Sequence, residues 1–121
     1  MTIRLLYVDD EEDIREVALL ALELDPNFKV RVCSSGREAL AVAPIWAPAL
    51  ILLDVMMPLM DGPATLVKLR ELPELASAPV VFITARAQAA ERQRLLALGA
   101  TGVIAKPFDP MTLADTVRSF L

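Results

Sequence analysis

Five short apolar segments alternate along the chain with longer segments whose apolar residues recur at helical spacing. Several of the short segments are almost continuously apolar, which is typical of strands that are buried on both faces of a sheet. Five strand–helix pairs in this order predict an α/β fold, with a mostly parallel sheet, helices on both faces and right-handed crossovers. The predicted strands are Ile3 to Val8, Phe28 to Cys33, Ala49 to Leu53, Val80 to Ile83 and Thr101 to Ala105.

Capping and stop signals set the predicted bounds of the first two helices. The first runs from Glu11 to Leu24 and begins with acidic residues, which the helix dipole favours in a first turn. The second follows the capping-box pattern Ser35-Gly36-Arg37-Glu38 and is expected to end before Pro44. The spacing of apolar residues in the first helix predicts that its inward side chains are Ile14, Val17, Ala18 and Ala21.

The last three helices are predicted from the positions of glycine and proline. Gly62-Pro63 begins the third helix, and the fourth extends from about Arg86 to Leu98 and ends at Gly99. Asp109-Pro110 places a cap and a first-turn proline at the start of the fifth helix. The inward side chains of this last helix are expected to be Leu113, Val117, Phe120 and Leu121.

Composition limits the class of protein. With 121 residues, the chain fits one domain, predicted to span residues 1–121 with no output domain after it. The formal net charge of −4 argues against nucleic-acid binding by this chain, because neutralising phosphates requires a basic face. The chain has one cysteine, no histidine, no signal-peptide pattern and no apolar run near the ~20 residues of a membrane span. We therefore expect a cytoplasmic protein that does not enter a membrane.

Polar or charged residues follow four of the predicted strands. Strand one is followed by Asp9 and Asp10, strand three by Asp54, strand four by Thr84 and strand five by Lys106. In an open α/β sheet, ligands bind outside the carboxyl ends of the strands, so these side chains are expected to form one site. A set of carboxylate ligands selects a hard cation such as Mg²⁺ or Ca²⁺. A carboxylate can also be the nucleophile of phosphoryl transfer, with an ammonium and a hydroxyl to stabilise the transition state.

Several of these residues also have a structural explanation when they are taken alone. Asp9-Asp10 is also typical of a helix N-terminal cap, and Lys106-Pro107 of a turn beside a solvated lysine. Asp61-Gly62 indicates a turn rather than a ligand. Asp54 is harder to explain structurally, because a buried, unpaired carboxylate is costly. The residues interpreted as ordinary apolar packing are Tyr7 and Trp46.

Several short motifs occur in order along the chain. They are Val8-Asp9-Asp10, Leu52-Leu53-Asp54-Val55-Met56-Met57-Pro58 with Met60-Asp61-Gly62, Phe82-Ile83-Thr84-Ala85, Gly99-Ala100 and Lys106-Pro107-Phe108. Taken together, they resemble the receiver domain of bacterial response regulators, the proteins that are phosphorylated in two-component systems. The resemblance covers nearly the whole chain, from about Ile3 to Leu121. It implies a flavodoxin-like (βα)5 fold with strand order 2-1-3-4-5.

The resemblance implies a role for each residue of the site. Asp54 would accept a phosphoryl group from a histidine kinase or a histidine phosphotransfer protein. Mg²⁺ would be the cofactor, ligated by Asp10, Asp54 and the backbone carbonyl of Met56, with Asp9 acting through a metal-bound water. Lys106 would pair with the phosphoryl group.

Other implied roles concern the response to phosphorylation. Thr84 would reorient toward the phosphoryl group, and the peptide bond between Lys106 and Pro107 would be cis. An effector protein would bind the face formed by helix four, strand five and helix five, and a weak homodimer is a further candidate. Val103 departs from the family pattern, which has an aromatic residue at this position. We therefore expect a smaller rearrangement in this chain, or signalling by dimerisation or by onward transfer of the phosphoryl group.

Three other functions are consistent with parts of the sequence. A phosphohydrolase with an aspartyl-phosphate intermediate usually needs a second aspartate two residues after the nucleophile, where this chain has Met56. A nucleotide- or flavin-binding domain would need a Gly-rich phosphate loop, but acidic residues follow strand one. A degenerate receiver used only for docking would not need the complete acidic set. We expect a signalling domain rather than an enzyme, with slow self-dephosphorylation because bulky Met56 and Arg86 flank the site.

Overall fold

One sheet of five parallel strands organises the molecule in the computed structural model, which describes residues 1–121. The strands are β1 (Ile3–Val8), β2 (Phe28–Cys33), β3 (Leu50–Asp54), β4 (Val80–Thr84) and β5 (Gly102–Ala105). They lie in the order β2-β1-β3-β4-β5, and every neighbouring pair is parallel. The predicted α/β fold and its strand order are confirmed, and no predicted strand end differs from the observed one by more than one residue.

Five helices connect the strands, in the predicted order. They are α1 (Glu12–Leu22), α2 (Gly36–Trp46), α3 (Gly62–Arg70), α4 (Ala89–Ala97) and α5 (Leu113–Arg118). A short 3-10 helix, Pro73–Leu75, precedes β4 and is not indicated by the sequence pattern. None of the helices combines the length and the hydrophobicity that are needed to cross a membrane.

Two apolar layers hold the helices against the sheet. All residues of β3 and β4 are buried, as continuously apolar strands predict, whereas burial alternates with exposure along the edge strand β2. One layer packs α2, α3 and α4 against the sheet, through residues that include Ala39, Leu66, Leu95 and Phe82. The other packs α1 and α5 against the opposite face, through residues that include Leu22, Leu52, Leu113 and Val117. Each fully buried leucine in these layers contributes on the order of 1.5–3 kcal/mol to stability.

The second helix continues through Pro44, so the prediction that it ends before this residue is wrong. Proline lacks the N–H that would bond one turn back, but the N–H of Ala47 still donates to the Ala43 carbonyl at 3.0 Å. The helix ends at Ala47, which takes the left-handed conformation with φ 55°. At the other end, the Ser35 hydroxyl accepts the predicted hydrogen bond from the Glu38 N–H at 3.0 Å.

The last helix begins later than Asp109-Pro110 predicted, because the chain forms a turn there. The Asp109 carboxylate accepts a hydrogen bond from the N–H of Met111 at 2.9 Å, and its carbonyl accepts one from the N–H of Thr112 at 3.1 Å. This local bonding competes with helical bonding, so α5 starts at Leu113.

Two residues that were predicted to point inward are exposed. Val17 is 40% exposed and Leu121 is 50% exposed. In α1 the buried stripe runs through Ala18, Ala21 and Leu22, so it lies to one side of Val17, and the helix ends at Leu22 rather than at the predicted Leu24. Leu121 follows the last helical turn and is therefore not held against the sheet.

Candidate functional site

The ends of four strands place the predicted site residues at one edge of the sheet. Asp9 directly follows β1, Asp54 and Thr84 are the last residues of β3 and β4, and Lys106 directly follows β5. The parallel register keeps these ends level, since Val8 is opposite Leu53, Asp54 opposite Ile83, and Thr84 opposite Ala105. Strand order reverses between β1 and β3, so the aspartates lie at the switch point where open α/β sheets bind ligands.

Three carboxylates converge at this switch point. Oxygen atoms of Asp9, Asp10 and Asp54 all lie within 4.8 Å of one another. Asp9 and Asp54 are buried and Asp10 is exposed, so the cluster opens to solvent on one side. Three negative charges at this separation repel one another, and a hard divalent cation with oxygen ligands compensates them. The donor set therefore fits Mg²⁺, whose remaining positions water and a phosphate oxygen can fill.

Lys106 reaches across the sheet edge and pairs with two of these carboxylates. Its Nζ lies 2.9 Å from Oδ2 of Asp9 and 3.2 Å from Oδ2 of Asp54, with Oε1 of Glu11 at 3.7 Å. Burial lowers the pKa of Lys106, but the hydrogen bonds and charges of Asp9 and Asp54 outweigh it, and the net pKa is raised. Lys106 is therefore a fixed positive charge beside Asp54. Its peptide bond to Pro107 is cis.

The carboxyl group of Asp54 is destabilised in its ionised form. Burial is the largest cause, the charge of Asp9 adds to it, and the pairing with Lys106 opposes both. The charge of Asp10 also acts to raise the pKa. Together these effects raise the pKa of Asp54 to about 6. The fold thus holds this carboxylate where a bound cation would relieve the repulsion between the charges.

Asp9 is held by its neighbours at both oxygen atoms. Oδ1 accepts a hydrogen bond from the N–H of Glu11 at 3.0 Å, and Oδ2 accepts one from the hydroxyl of Tyr7 at 3.1 Å. The Arg15 side chain donates to the Asp9 carbonyl at 2.9 Å. Burial and the charge of Asp9 both raise the pKa of Tyr7, so its hydroxyl keeps its proton and stays a donor.

Tyr7 is the site residue that sequence reasoning missed. Its interpretation as ordinary apolar packing is incomplete, because the ring is fully buried while the hydroxyl is directed to Asp9. The signal was its spacing, since residues two apart on a strand project to the same face. A tyrosine two positions before a site aspartate is therefore placed to contact it.

The start of α3 packs directly against the backbone of Asp54. A Cβ atom on Gly62 would lie 2.5 Å from the Asp54 carbonyl oxygen and 2.9 Å from Cα of Val55, so only glycine permits this approach. The Gly62 N–H donates to the Val55 carbonyl at 2.8 Å. The neighbouring Asp61 caps α3 by accepting a hydrogen bond from the Ala64 N–H at 2.9 Å, which gives it the structural role that its turn motif indicated.

The four predicted tuning and switch residues lie in or shortly after β3, β4 and β5. Thr84 is buried, and its hydroxyl oxygen accepts a hydrogen bond from the Arg86 N–H at 3.0 Å, which delays the start of α4 from the predicted Arg86 to Ala89. Met56 is 76% exposed in the loop after β3, and Arg86 is also exposed. Val103 is buried and packs in the layer that includes α4.

The sheet order and the strand-end set of acids, lysine and threonine are those that the resemblance to response-regulator receiver domains implies. The model of the family described as "Response regulator receiver domain" matches residues 5–118. The chain therefore belongs to the response regulator receiver domain family.

Relatives and solved structures agree with this assignment. The chain is 41% identical over 119 residues to Response regulator Rre1 of Synechocystis sp., covering 98% of this chain and 52% of that protein. It is 36% identical over 121 residues to Transcriptional regulatory protein SrrA of Staphylococcus aureus, covering 100% of this chain and 48% of that one. The structure of chemotaxis protein CheY4 of Vibrio cholerae superposes with a TM-score of 0.91 at 33% identity, covering 100% of both chains. The chain spans about half the length of the first curated relatives it matches.

Proposed function

We propose that this receiver domain accepts a phosphoryl group on Asp54 from a phosphohistidine of a kinase or of a phosphotransfer protein. The observation that carries the proposal is the position of Asp54, which lies buried at the switch point between two other carboxylates and the Lys106 ammonium. An Asp54 carboxylate oxygen attacks phosphorus, the P–O bond forms as the P–N bond to imidazole breaks, and the leaving imidazole takes up a proton.

Each residue of the site supports this transfer in a different way. Bound directly by Asp10 and Asp54, with Asp9 acting through a metal-bound water, Mg²⁺ would neutralise charge on the carboxylates and on the phosphoryl oxygens. Lys106, already 3.2 Å from Asp54, supplies a donor beside the position that the transferred group would occupy. Thr84 would exchange its hydrogen bond with the Arg86 N–H for one to a phosphoryl oxygen. These roles, and a third metal ligand from the Met56 carbonyl, follow from the resemblance and from the strand-end placement.

The site favours a signalling role over catalytic turnover. Hydrolysis of the aspartyl phosphate needs a group that activates water beside it, and the nearest flanking positions hold Met56 and Arg86, neither of which is a general base at neutral pH. We therefore expect slow self-dephosphorylation. The complete set of site residues also argues against a receiver that is used only for docking.

Two faces of the molecule are suited to protein partners in a cytoplasmic signalling pathway. The effector would bind the face of α4, β5 and α5, where Arg92 of α4 donates to the Val103 carbonyl at 3.4 Å and so links the helix to β5. The phosphodonor would approach over α1 and the turn after it, where the apolar side chains of Leu20 and Leu24 are 70% and 60% exposed. A weak homodimer on either face is compatible with these surfaces.

The direct test is incubation with acetyl phosphate or phosphoramidate and Mg²⁺, followed by intact mass. We expect one phosphoryl adduct on the wild-type chain and none on Asp54→Ala. Asp61→Asn is the matched control, because Asp61 lies on the same loop but caps α3, and it should be labelled normally. An unlabelled wild-type chain, or equal labelling of Asp54→Ala, contradicts the proposal.

A further inference from the structure

The amino edge of the sheet carries a cluster of positive charges, in contrast to the acidic carboxyl edge. Arg4 of β1 is the register partner of Lys29 of β2, and Arg31 lies two residues further along β2. Because side chains two residues apart project to the same face of a sheet, all three cations lie on the face that α2 covers. We call these three residues, together with Trp46 at the end of α2, the basic patch.

The three cations surround one aromatic ring. The guanidinium carbons of Arg4 and Arg31 lie 5.4 Å and 5.9 Å from the centre of the Trp46 ring, and the Lys29 ammonium lies 5.7 Å from it. These distances are in the range of cation–π attraction, which is modest at exposed sites. The ring gathers the cations, but a single neutral ring does not cancel three like charges.

No acidic residue of the chain compensates the patch. The five ion pairs in the structure involve other residues, and Arg4, Lys29 and Arg31 are all exposed. The one hydrogen bond from the three cations runs from Arg4 to the Trp46 carbonyl at 3.3 Å, and the buried Trp46 Nε1 has no acceptor. The patch therefore presents donors and positive charge in excess of its acceptors.

Protection of the sheet edge explains only part of this arrangement. Charged side chains on an edge strand discourage pairing with another chain, and β2 is an edge strand. Arg4, however, belongs to β1, which is not an edge strand. Protection of an edge also does not require a tryptophan beside the charges. The convergence of three cations on one ring indicates a binding surface.

We propose that the basic patch docks an acidic segment of a partner protein. A shallow cavity of about 380 Å³ lies beside Arg4 and Lys29, bordered by the small side chains of Ala47 and Ala49. The methyl groups of Ala47 and Ala49 supply apolar surface beside these charges. Charge with an adjacent apolar surface fits a short acidic peptide that carries an apolar residue.

The charge of the rest of the chain favours a short segment over a long polyanion. The net charge is −4, and the carboxyl edge of the sheet is strongly acidic, so nucleic acid or an anionic membrane would be repelled beyond the patch. The patch and the phosphorylation site lie at opposite ends of the strands, so a partner held at the patch leaves Asp54 accessible. The surface would tether a partner whether or not the domain is phosphorylated.

The sole tryptophan of the chain makes the proposal directly measurable. The full chain is titrated at low salt with the capped peptide Glu-Glu-Leu-Glu-Glu while Trp46 emission is followed, and the Gln-Gln-Leu-Gln-Gln peptide serves as ligand control. We expect a saturable change with the acidic peptide only. Replacing Arg4, Lys29 and Arg31 by glutamine should weaken the affinity about tenfold, the usual worth of three exposed ion pairs.

A charge-matched variant separates the patch from net charge. Arg37→Gln, Lys68→Gln and Arg94→Gln remove the same charge from other exposed positions and should leave peptide affinity within about twofold. Lys29→Gln alone tests the patch if the triple variant does not fold. No saturable change with the acidic peptide, equal weakening in both triple variants, or tighter binding of a single-stranded oligonucleotide or of anionic phosphatidylserine vesicles would overturn the proposal.

Discussion

Neutralising Asp54, the proposed phosphoacceptor, should stabilise the metal-free protein at neutral pH. Asp54 is 3% exposed, and its burial and the charge of Asp9 raise its pKa to about 6, against an ordinary value of 3.8. A gap of about two pH units, at ~1.4 kcal/mol per unit, corresponds to ~3 kcal/mol lost when the carboxyl ionises in the folded state. An asparagine side chain at this position carries no charge, so Asp54→Asn should raise the free energy of unfolding by up to ~3 kcal/mol at neutral pH.

The pH dependence of this gain has a definite sign. The folded state holds the Asp54 proton more tightly than the unfolded state, so between about pH 4 and pH 6 wild-type stability falls as pH rises. The groups that face Asp54 are Asp9, Asp10 and Lys106, and all three are present in both proteins. The extra stability of Asp54→Asn over the wild type should therefore be absent near pH 4, where the Asp54 carboxyl of the folded wild type is protonated. It should grow as the pH rises from about 4 to about 6 and persist at higher pH.

Urea unfolding in the presence of a chelator measures the effect. Free energies of unfolding of wild type and Asp54→Asn are compared at about pH 4 and about pH 7.5, with Asp115→Asn as the control because Asp115 is an exposed helical carboxylate. The control should change stability by less than about 0.5 kcal/mol. Adding Mg²⁺ should stabilise the wild type and so reduce the difference in the free energy of unfolding between wild type and Asp54→Asn. If the variant is no more stable than wild type at the higher pH, or gains equally at both pH values, ionised Asp54 does not destabilise the folded protein.

Three further predictions concern the fold, the metal site and the switch. Ala47→Gly should stabilise by ~0.5–1 kcal/mol in urea unfolding, because Ala47 has φ 55° and glycine relieves its left-handed strain; no gain over an Ala49→Gly control contradicts this. Tyr7→Phe should weaken Mg²⁺ binding about tenfold by calorimetry, because the hydroxyl that orients Asp9 is lost, and an unchanged affinity refutes the role of that contact. Amide exchange with and without a beryllofluoride phosphoryl mimic should change little over Thr101 to Ala105, since no ring stands at Val103, and a large protection change there counts against a small rearrangement.

The sequence predicted the fold and the site edge because both depend on simple periodicity. A continuously apolar run indicates a buried strand, and the first polar residue after the run marks where the strand ends. The run that ends at Asp54 is an example. Parallel strands then bring such ends together without any knowledge of side-chain packing. This is why Asp9, Asp54, Thr84 and Lys106 were predicted as one group.

Contacts that depend on how distant strands align in the folded sheet could not be predicted from the sequence. The bridge from Lys106 to Asp9 spans two strands that are far apart in the chain, and its 2.9 Å distance depends on how β1, β3 and β5 align. The predicted ends of some helices were wrong for a related reason. Pro44 is a local stop signal, but packing of α2 against the sheet carries the helix past it. The cations around Trp46 likewise come from β1 and β2, so no local pattern contained them.

A chemical label can test directly whether Asp54 is the residue that carries the phosphoryl group. After incubation with phosphoramidate and Mg²⁺, borohydride reduction converts an aspartyl phosphate to homoserine, and peptide mass spectrometry locates the converted residue. We expect conversion at Asp54 alone, lost when Mg²⁺ is chelated and strongly slowed in Lys106→Ala. Conversion at Asp9 or Asp10, or no conversion at Asp54 when the intact protein is labelled, would contradict this expectation.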